Sequence, residues 1–208
     1  MKRRGSILLI SGPSGAGKSS LVNEIEKEID NIYFSVSVTT RQKREGEKEG
    51  IDYHFVSKKE FEKDIKDGFF LEWANVHGNY YGTSLKHTLK AIEEGKLILF
   101  DIDVQGFLQA RKKIGDLITS VFITTPSLEE LRNRLLKRAT DTKEAIQKRL
   151  ENASRELELA KEYDFFIIND NLERAKKELL SVAVASKIKS SSFDLDNFIK
   201  EWKNISIK

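Results

Sequence analysis

A lysine and a serine at the end of a glycine-rich segment are the residues of this chain whose spacing most clearly predicts chemistry. The segment fits the pattern Gly12-x-x-x-x-Gly17-Lys18-Ser19. Glycines let backbone N–H groups turn toward phosphate oxygens, the lysine can reach the terminal phosphates, and the serine hydroxyl can ligate Mg²⁺. The pattern therefore predicts a P-loop that binds a nucleoside triphosphate. The predicted contact residues are Gly12, Pro13, Ser14, Gly15, Ala16, Gly17, Lys18, Ser19 and Ser20.

The residues on either side of this loop have the periodicity that a P-loop requires. Residues 7–10 are Ile-Leu-Leu-Ile, an apolar run of strand length, and Leu21, Val22, Ile25 and Ile29 follow at helical spacing. The loop is therefore predicted to join a strand to a helix, as phosphate binding demands. A plain glycine turn before a helix is the alternative, and this context argues against it.

A second group of polar and basic residues follows the first predicted helix. Arg41 and Arg44 lie with Lys43 in a short loop after a predicted strand. Arginine suits bidentate phosphate binding, so the loop could grip a second, monophosphate ligand; a solvated charged loop is the alternative. Polar residues within the apolar alternation of the same region favour a pocket that orients a base and a phosphate. These polar residues are Ser37, Tyr53, Glu72, Tyr81 and Thr83.

Composition limits the function classes that remain open. The 208 residues are 39% hydrophobic, enough for one sizeable core with inserted subdomains. The net charge of +3 arises from dense mixed charge, which does not indicate a nucleic-acid partner. The chain has no cysteine, which excludes disulfides and thiolate catalysis and fits a reducing cytosol. No stretch approaches the roughly 20 apolar residues of a membrane span. We therefore expect a cytoplasmic protein without a membrane partner; its oligomeric state is not predicted.

Apolar strand candidates alternate with helical patterns over most of the chain. Three candidates follow the P-loop, at residues 97–100, 120–124 and 165–168. With the strand before the P-loop, this β-α-β rhythm predicts a parallel sheet covered by helices on both faces.

Two segments depart from that rhythm. Short alternating stretches between residues 33 and 82 predict a small mixed sheet inserted into the core fold. From residue 127 to about residue 161 the pattern is helical and charged, with little apolar surface, which suits a mobile lid. In the tail, apolar residues from Phe193 to Trp202 favour a helix that packs back on the core, and a partner-binding helix is the alternative.

Four sequence blocks resemble those of guanylate kinases, the family that moves a phosphoryl group from ATP to GMP. They are Ser-Gly-Pro-Ser-Gly-Ala-Gly-Lys-Ser at 11–19, Phe-Ser-Val-Ser-Val-Thr-Thr-Arg at 34–41, Glu-Trp-Ala with Gly-Asn-Tyr-Tyr-Gly within 72–82, and Asp-Ile-Asp-Val-Gln-Gly at 101–106. The resemblance continues through the basic residues of the predicted lid and Ile-Ile-Asn-Asp at 167–170. It spans about residues 5–185, which leaves only the tail outside it.

The resemblance implies an α/β fold of the P-loop nucleoside monophosphate kinase type. In this fold a parallel core sheet flanked by helices carries an inserted mixed α/β GMP-binding subdomain and a helical lid. The implied boundaries are a domain at 5–185, with core segments 5–32, 96–126 and 162–185, insert 33–95, lid 127–161, and a helical tail at 186–208.

The resemblance also implies roles for individual residues. The phosphate of GMP would be held by Arg41, Arg44, Tyr53 and Tyr81. Its guanine would be read by Ser37, Glu72, Thr83 and Asp103. Mg²⁺ would lie near Ser19 and Asp101. The lid arginines that close over the phosphates would be Arg134, Arg138 and Arg149, of which Arg134 and Arg138 would contact ATP. The implied catalytic set is Lys18, Arg41, Arg138 and Arg149.

Two residues depart from the family pattern. Lys43 stands where the family usually has proline, which is expected to leave the loop looser, and Thr83 stands where serine is common, which keeps the hydroxyl and adds a methyl group.

Two other functions fit parts of the sequence. The first is a nucleoside monophosphate kinase with AMP or a pyrimidine nucleotide as acceptor, against which the hydroxyl and carboxylate pair of the insert argues. The second is a guanylate-kinase-like binding module without nucleotide chemistry. The P-loop argues against that module because it is complete through Lys18 and Ser19. The sequence therefore favours an enzyme of purine nucleotide metabolism with GMP and ATP as substrates.

Overall fold

The structure, a computed structural model, describes residues 4–76, 78–137 and 142–204. Its strands are β1 (Ser6–Ser11), β2 (Ile32–Phe34), β3 (Val38–Thr39), β4 (His54–Phe55), β5 (Phe70–Val76), β6 (Asn79–Ser84), β7 (Leu97–Asp101), β8 (Ile118–Thr124) and β9 (Phe165–Ile168). Its α-helices are α1 (Lys18–Glu26), α2 (Lys58–Lys66), α3 (Leu85–Glu93), α4 (Val104–Ile114), α5 (Leu128–Lys137), α6 (Lys143–Glu158), α7 (Leu172–Ser186) and α8 (Leu195–Lys203).

The core is a five-stranded parallel sheet in the order β2-β7-β1-β8-β9. Its central strand alternates between two hydrophobic clusters. Leu8 and Ile10 pack with residues of α1 and α7 on one face, and Ile7 and Leu9 pack with residues of α3 and α4 on the other. Burial on both faces explains why this strand is a continuous apolar run. The predicted α/β fold with a parallel sheet between helices is confirmed.

The insert is a four-stranded sheet in the order β4-β3-β6-β5, packed on α2. Its core is aromatic: the ring of Phe61 stacks on the rings of Phe70 and Tyr80, with centroid distances of 4.1 and 5.2 Å. This small cluster is separate from the two clusters of the main sheet. The insert is therefore a mixed α/β unit with its own core.

The structure divides residues 34–38 between the two sheets, although their alternating pattern predicts that all of them belong to the insert. Phe34 ends β2, which pairs with β7 at the edge of the core sheet, whereas Val38 begins β3 in the insert. Helix α3, within the predicted insert range, contacts β7 of the core. The four-stranded sheet of the insert thus runs from Val38 to Ser84.

Helices α5 and α6 occupy the predicted lid segment and pack on each other. Their contact buries a small cluster of apolar side chains, which are Leu131, Leu135, Ile146, Leu150 and Ala153. Its members Leu131 and Leu135 also lie close to Gly15, so α5 packs against the P-loop as well as on its partner helix. The predicted lid segment thereby has a small apolar core of its own next to the P-loop.

The tail contains α8, but this helix does not bury its apolar face. Phe198 is 40% exposed and Trp202 is 71% exposed, and no residue of α8 is buried. The predicted packing back onto the core is therefore wrong for this helix. Within the described ranges, every helix is too short or too polar to cross a membrane.

Candidate active site

The glycine-rich loop joins β1 to α1, as the sequence predicts. Gly12, Gly15 and Gly17 have φ angles of +141°, +97° and +90°, a region that L side chains rarely adopt. A Cβ atom on Gly12 would clash with the carbonyl oxygen of Ile123 on the neighbouring strand β8. The loop therefore depends on glycine both for its backbone conformation and for its close packing on the sheet.

Lys18 begins α1 and its side chain folds back over the loop. Its Nζ donates a hydrogen bond to the carbonyl oxygen of Gly12 at 2.7 Å and lies 4.0 Å from Oδ1 of Asp101. Asp101 ends β7, where it pairs in register with Ile10 of β1. Burial raises the pKa of the Asp101 carboxyl, and the charge of Lys18 opposes this increase.

The loop, the end of β7 and one lid residue enclose a cleft of about 350 Å³. The hydroxyl of Ser19 and the carboxylate of Asp101 both belong to its wall. Both groups offer hard oxygen ligands of the kind that Mg²⁺ prefers. No group of three or more His, Cys, Asp or Glu residues within the described ranges could hold a metal ion alone. Such a pair suits an ion held mainly by the phosphates of a nucleotide.

Asn169 and Arg134 support the loop from outside this cleft. Nδ2 of Asn169 donates to the carbonyl oxygen of Ala16 at 2.8 Å, and the same nitrogen blocks the space where a Cβ of Gly17 would lie. Nη2 of Arg134 donates to the carbonyl oxygen of Asn169 at 2.8 Å, and its Nε donates to Glu130 at 2.8 Å. The two side chains thus tie β9 and α5 to the loop.

The other two predicted lid arginines are Arg149 and Arg138, and the structure describes only Arg149. Nη1 of Arg149 donates to the hydroxyl of Ser14 at 2.7 Å, which brings α6 onto the P-loop. Arg138 lies outside the described residues. Arg134 and Arg149 therefore both reach the loop.

Three of the four residues of the predicted guanine reader, Glu72, Thr83 and Asp103, lie at the junction between the insert and α4. Oγ1 of Thr83 on β6 donates to Oε1 of Glu72 on β5 at 2.6 Å. The start of α4 lies against Glu72, because a Cβ on Gly106 would be 3.2 Å from Cγ of that side chain. Asp103 caps the same helix by accepting a hydrogen bond from the Gly106 N–H at 2.7 Å. Ser37 immediately precedes β3, whose Val38 pairs with Gly82 next to Thr83. No hydrogen bond of the Ser37 hydroxyl is found among the described residues.

The carboxyl of Glu72 is the electrostatically unusual group of this set. Burial raises its pKa, the hydrogen bond from Thr83 opposes that increase, and the nearby charge of Asp103 adds to it. The charge of Lys113 also opposes the increase. Burial of a carboxylate is costly unless donors reach it. The pair of acidic residues thus favours a ligand that brings N–H donors.

The predicted phosphate grip forms a second cluster in the insert. The guanidinium carbon of Arg41 lies 5.5 Å from the ring centroid of Tyr53 and 5.8 Å from that of Phe55. The rings of Tyr53 and Tyr81 meet edge to face at 6.0 Å. Arg41 is therefore surrounded by aromatic rings, whereas the exposed guanidinium of Arg44 hydrogen-bonds to no residue of the described part of the chain.

Three residues without a predicted role lie in or beside these clusters. Glu156 of α6 lines the nucleotide cleft; burial raises its pKa, the charge of Lys18 opposes that shift, and Asp103 adds to it. Glu47 pairs with Arg41 through both carboxylate oxygens. Asn169 belongs to a block that carries the resemblance, but no pattern links it to Ala16, 153 residues away. For Glu156, the charged helical pattern of the lid contains no signal that singles it out.

Comparison with known proteins agrees with this geometry. A family model described as Guanylate kinase matches residues 4–186. A guanylate kinase of Sulfurimonas denitrificans is 53% identical over 203 residues, covering 98% of both chains. One from Campylobacter jejuni subsp. jejuni is also 53% identical, over 97% of this chain and 98% of the other. The crystal structure of guanylate kinase from Anaplasma phagocytophilum superposes with a TM-score of 0.73 at 33% identity, covering 97% of this chain and 96% of that one. With a family match over most of its length and relatives at this identity, the chain belongs to the guanylate kinase family.

Proposed function

We propose that this protein transfers the terminal phosphoryl group of ATP to GMP, giving ADP and GDP, and so serves guanine nucleotide metabolism. The observation that carries this proposal is the pairing of Glu72 with Thr83 beside Asp103, in a chain that also has a complete P-loop. The P-loop by itself accounts for the donor nucleotide. The acidic cluster selects the acceptor.

Guanine complements this cluster better than adenine does. It presents N1–H and N2–H donors beside an O6 acceptor, so a carboxylate can take the donors. Adenine would place its N1 acceptor against Glu72 and leave buried polar groups unpaired, a defect that can produce roughly 10⁴-fold discrimination. The hydroxyl of Thr83 donates to Glu72 in the structure. This hydroxyl must rotate if it is to donate to O6 of guanine.

On the donor side, Lys18 is the group that meets the terminal phosphates. Its hydrogen bond to Gly12 holds it over the loop until phosphate oxygens replace the carbonyl. Ser19 and Asp101 would hold Mg²⁺, which when bound neutralises developing charge on the phosphates. Phosphoryl transfer depends on positioning and charge neutralisation, so this set needs no separate nucleophilic relay.

On the acceptor side, the insert presents its phosphate grip next to the base reader. Arg41 and Arg44, with the hydroxyls of Tyr53 and Tyr81, would bind the phosphate of GMP. Ser37 would complete the reader through its hydroxyl. Arg41 is the member of this group that we also assign to the catalytic set, because a phosphate-bound guanidinium can stabilise charge during transfer.

The lid supplies the remaining positive charge. The contact between Arg149 and Ser14 brings this guanidinium to the P-loop. We propose that Arg149 and Arg138 neutralise the transferring phosphoryl group and that Arg134 holds the loop and contacts ATP. We also propose a cytoplasmic location, because the cysteine-free composition fits a reducing compartment.

A coupled assay of ADP formation with GMP, dGMP, AMP, UMP and CMP tests the proposed function. Turnover with GMP should exceed that with AMP, UMP and CMP by orders of magnitude. Equal turnover with AMP would identify a different monophosphate kinase. No turnover with any acceptor, by protein that still binds ATP, would indicate a binding module.

A further inference from the structure

The carboxylate of Glu47 pairs through both of its oxygens with Arg41, a residue of the predicted phosphate grip. Its Oε1 accepts from Nη2 of Arg41 at 2.7 Å and its Oε2 accepts from Nη1 of the same residue at 3.1 Å. Both side chains are largely buried, with 14% of Arg41 and 19% of Glu47 exposed. A paired arrangement of this kind fixes the plane of a guanidinium group. Glu47 therefore determines how Arg41 is oriented before a ligand arrives.

The backbone around Glu47 joins the two arginines of the loop into one unit. Oε2 of Glu47 also accepts the backbone N–H of Arg44 at 2.7 Å, and the Glu47 N–H donates to the Arg44 carbonyl at 3.2 Å. Gly46 between them has a φ of +87°, which turns the chain so that the carboxylate faces back into the loop. One carboxylate thus holds a side chain and a backbone segment together.

The hydrogen bonds show which donors of Arg41 stay available. A guanidinium has five N–H donors. Glu47 takes one from each terminal nitrogen, and the carbonyl of Gln42 takes the second from Nη1 at 2.7 Å. These three bonds do not use Nε–H or the second Nη2–H, which lie on one edge of the planar group. The Arg41 side chain also interacts with that of Tyr81, another predicted member of the phosphate grip. Two parallel donors on one edge match two oxygens of a phosphate.

We propose that Glu47 is a positioning residue for the acceptor phosphate: it occupies the outer fork of Arg41 and presents the Nε edge of that guanidinium to GMP. This role rests on the proposed function. The hydrogen bonds of Glu47 hold this loop, which has no proline, in a geometry that its exposed side chains cannot supply. The hydrogen bonds from Arg41 and the Arg44 backbone also lower the pKa of Glu47, so the carboxylate stays charged at neutral pH.

A purely repulsive role is the physical alternative. A carboxylate near a phosphate dianion costs binding energy unless the cation between them is fully shared. The donor count argues that it is shared, because Glu47 and a phosphate would use different edges of Arg41. The two roles predict opposite changes in affinity for GMP when the charge is removed.

Steady-state kinetics of Glu47→Gln separate these roles, with Glu45→Gln as the matched control. Glu45 is an exposed carboxylate in the same loop. Its substitution removes the same charge but leaves the paired contact between Glu47 and Arg41 in place. In Glu47→Gln we expect KM for GMP to rise about tenfold, kcat to change less than about threefold, and KM for ATP to stay constant. Glu47→Asp should give an intermediate KM because it keeps the charge but is too short to hold both terminal nitrogens.

A second measurement asks whether Glu47 acts through Arg41. In an Arg41→Ala background, Glu47→Gln should lower kcat/KM for GMP less than about twofold, because the two changes remove one shared element. A fall in KM for GMP would overturn the proposal in favour of repulsion. An undiminished effect in the Arg41→Ala background, or a parallel loss of ATP affinity and thermal stability, would overturn it in favour of a general structural role. Failure of wild-type protein to use GMP would refute the proposed function instead, so the two failures are distinguishable.

Discussion

The P-loop and the proposed guanine pocket of this protein are built from different parts of the chain. The loop is one contiguous segment whose backbone follows three glycines with positive φ, and its lysine contacts a carbonyl six residues away. The guanine pocket joins β5, β6 and the start of α4, and side chains make its contacts. A backbone site suits a group common to many ligands, whereas a side-chain site can complement one base.

The two regions also differ in how they carry charge in the free protein. In the loop, the cation of Lys18 rests on a backbone carbonyl with Asp101 at 4.0 Å. In the pocket, Glu72 and Asp103 are two acidic groups near each other, and burial raises the pKa of Glu72. The charge of the loop therefore suits an anionic ligand, and the charge of the proposed pocket suits a ligand with N–H donors. Mutation of the loop lysine should therefore lower kcat, whereas mutation of the pocket carboxylate should lower kcat/KM for GMP.

Lys18→Ala should produce the largest effect. Removal of a preorganised charge that meets the transferring phosphates should lower kcat by roughly 10² or more. The melting temperature should change little, because the side chain lies in the wall of the cleft, outside the two hydrophobic clusters, and its removal leaves no core cavity. Steady-state kinetics and thermal unfolding check both expectations.

Lys27→Ala is the control for this change, since Lys27 caps the exposed end of α1 with a surface ion pair to Glu24. Its kinetics should match those of the wild type. Near-normal turnover of Lys18→Ala would remove the P-loop lysine from the mechanism.

Glu72→Gln should lower kcat/KM for GMP by about a hundredfold while KM for ATP stays nearly constant. Glutamine keeps the shape but loses the charge and half of the acceptor capacity that guanine donors need. Glu93→Gln on the exposed side of α3 is the matched control and should be neutral. If Glu72→Gln retained the preference for GMP over AMP, the carboxylate would be structural and the base reader would lie elsewhere.

The same residue should make GMP use and stability respond to pH in opposite directions. Because burial raises the folded pKa above the ordinary 4.5, ionising Glu72 costs stability as pH rises through that range. Glu72→Gln should therefore melt at a higher temperature than wild type at neutral pH. In the wild type, kcat/KM for GMP should fall as pH drops through the raised pKa of Glu72. The variant should not show this decrease. A lower melting temperature for the variant would contradict this assignment.

Arg44→Ala should have a smaller effect that does not depend on the base. Its guanidinium would grip the phosphate only, so KM for GMP and for dGMP should rise alike, by about tenfold. Lys48→Ala, a nearby exposed cation, serves as the control. A change in the ratio of GMP to AMP use would show that Arg44 also reads the base.

The smallest effect should be a change in dimensions when both substrates bind. Arg149 already contacts Ser14, so most of the closure should come from the insert moving toward the core. X-ray scattering with a two-substrate mimic should show the radius of gyration falling toward the value of about 17 Å typical of a compact chain of this length. Identical scattering profiles with and without the mimic would exclude closure.

The sequence was most informative where one short segment suffices. Gly12, Gly17 and Lys18 lie within one loop. The apolar runs around it identify the strand and the helix, because the middle of a strand that is buried on both faces is a continuous apolar run. The family resemblance added candidates such as Glu72 and Arg41. Their roles as substrate contacts stay predictions until the variants are measured.

The sequence was less informative where two arrangements satisfy the same pattern. Residues 34–38 alternate in a way that suits either sheet, and only the pairing of Phe34 with Leu99 and of Val38 with Gly82 divides them. The periodicity of α8 predicts a helix, yet whether its apolar face is covered depends on what lies opposite. Periodicity reports the shape of an element and carries no information about its neighbour.

By itself, the sequence determined the P-loop, the alternation of strands and helices, and the class of chemistry, because these depend on residues close together in the chain. Only the tertiary structure decided that Asn169 supports Ala16, that Glu156 faces the nucleotide cleft, and that Glu47 occupies one fork of Arg41. The first two contacts join distant segments, and the third depends on a backbone turn at Gly46. Their geometry follows from how the whole chain packs, and residue types alone do not specify it.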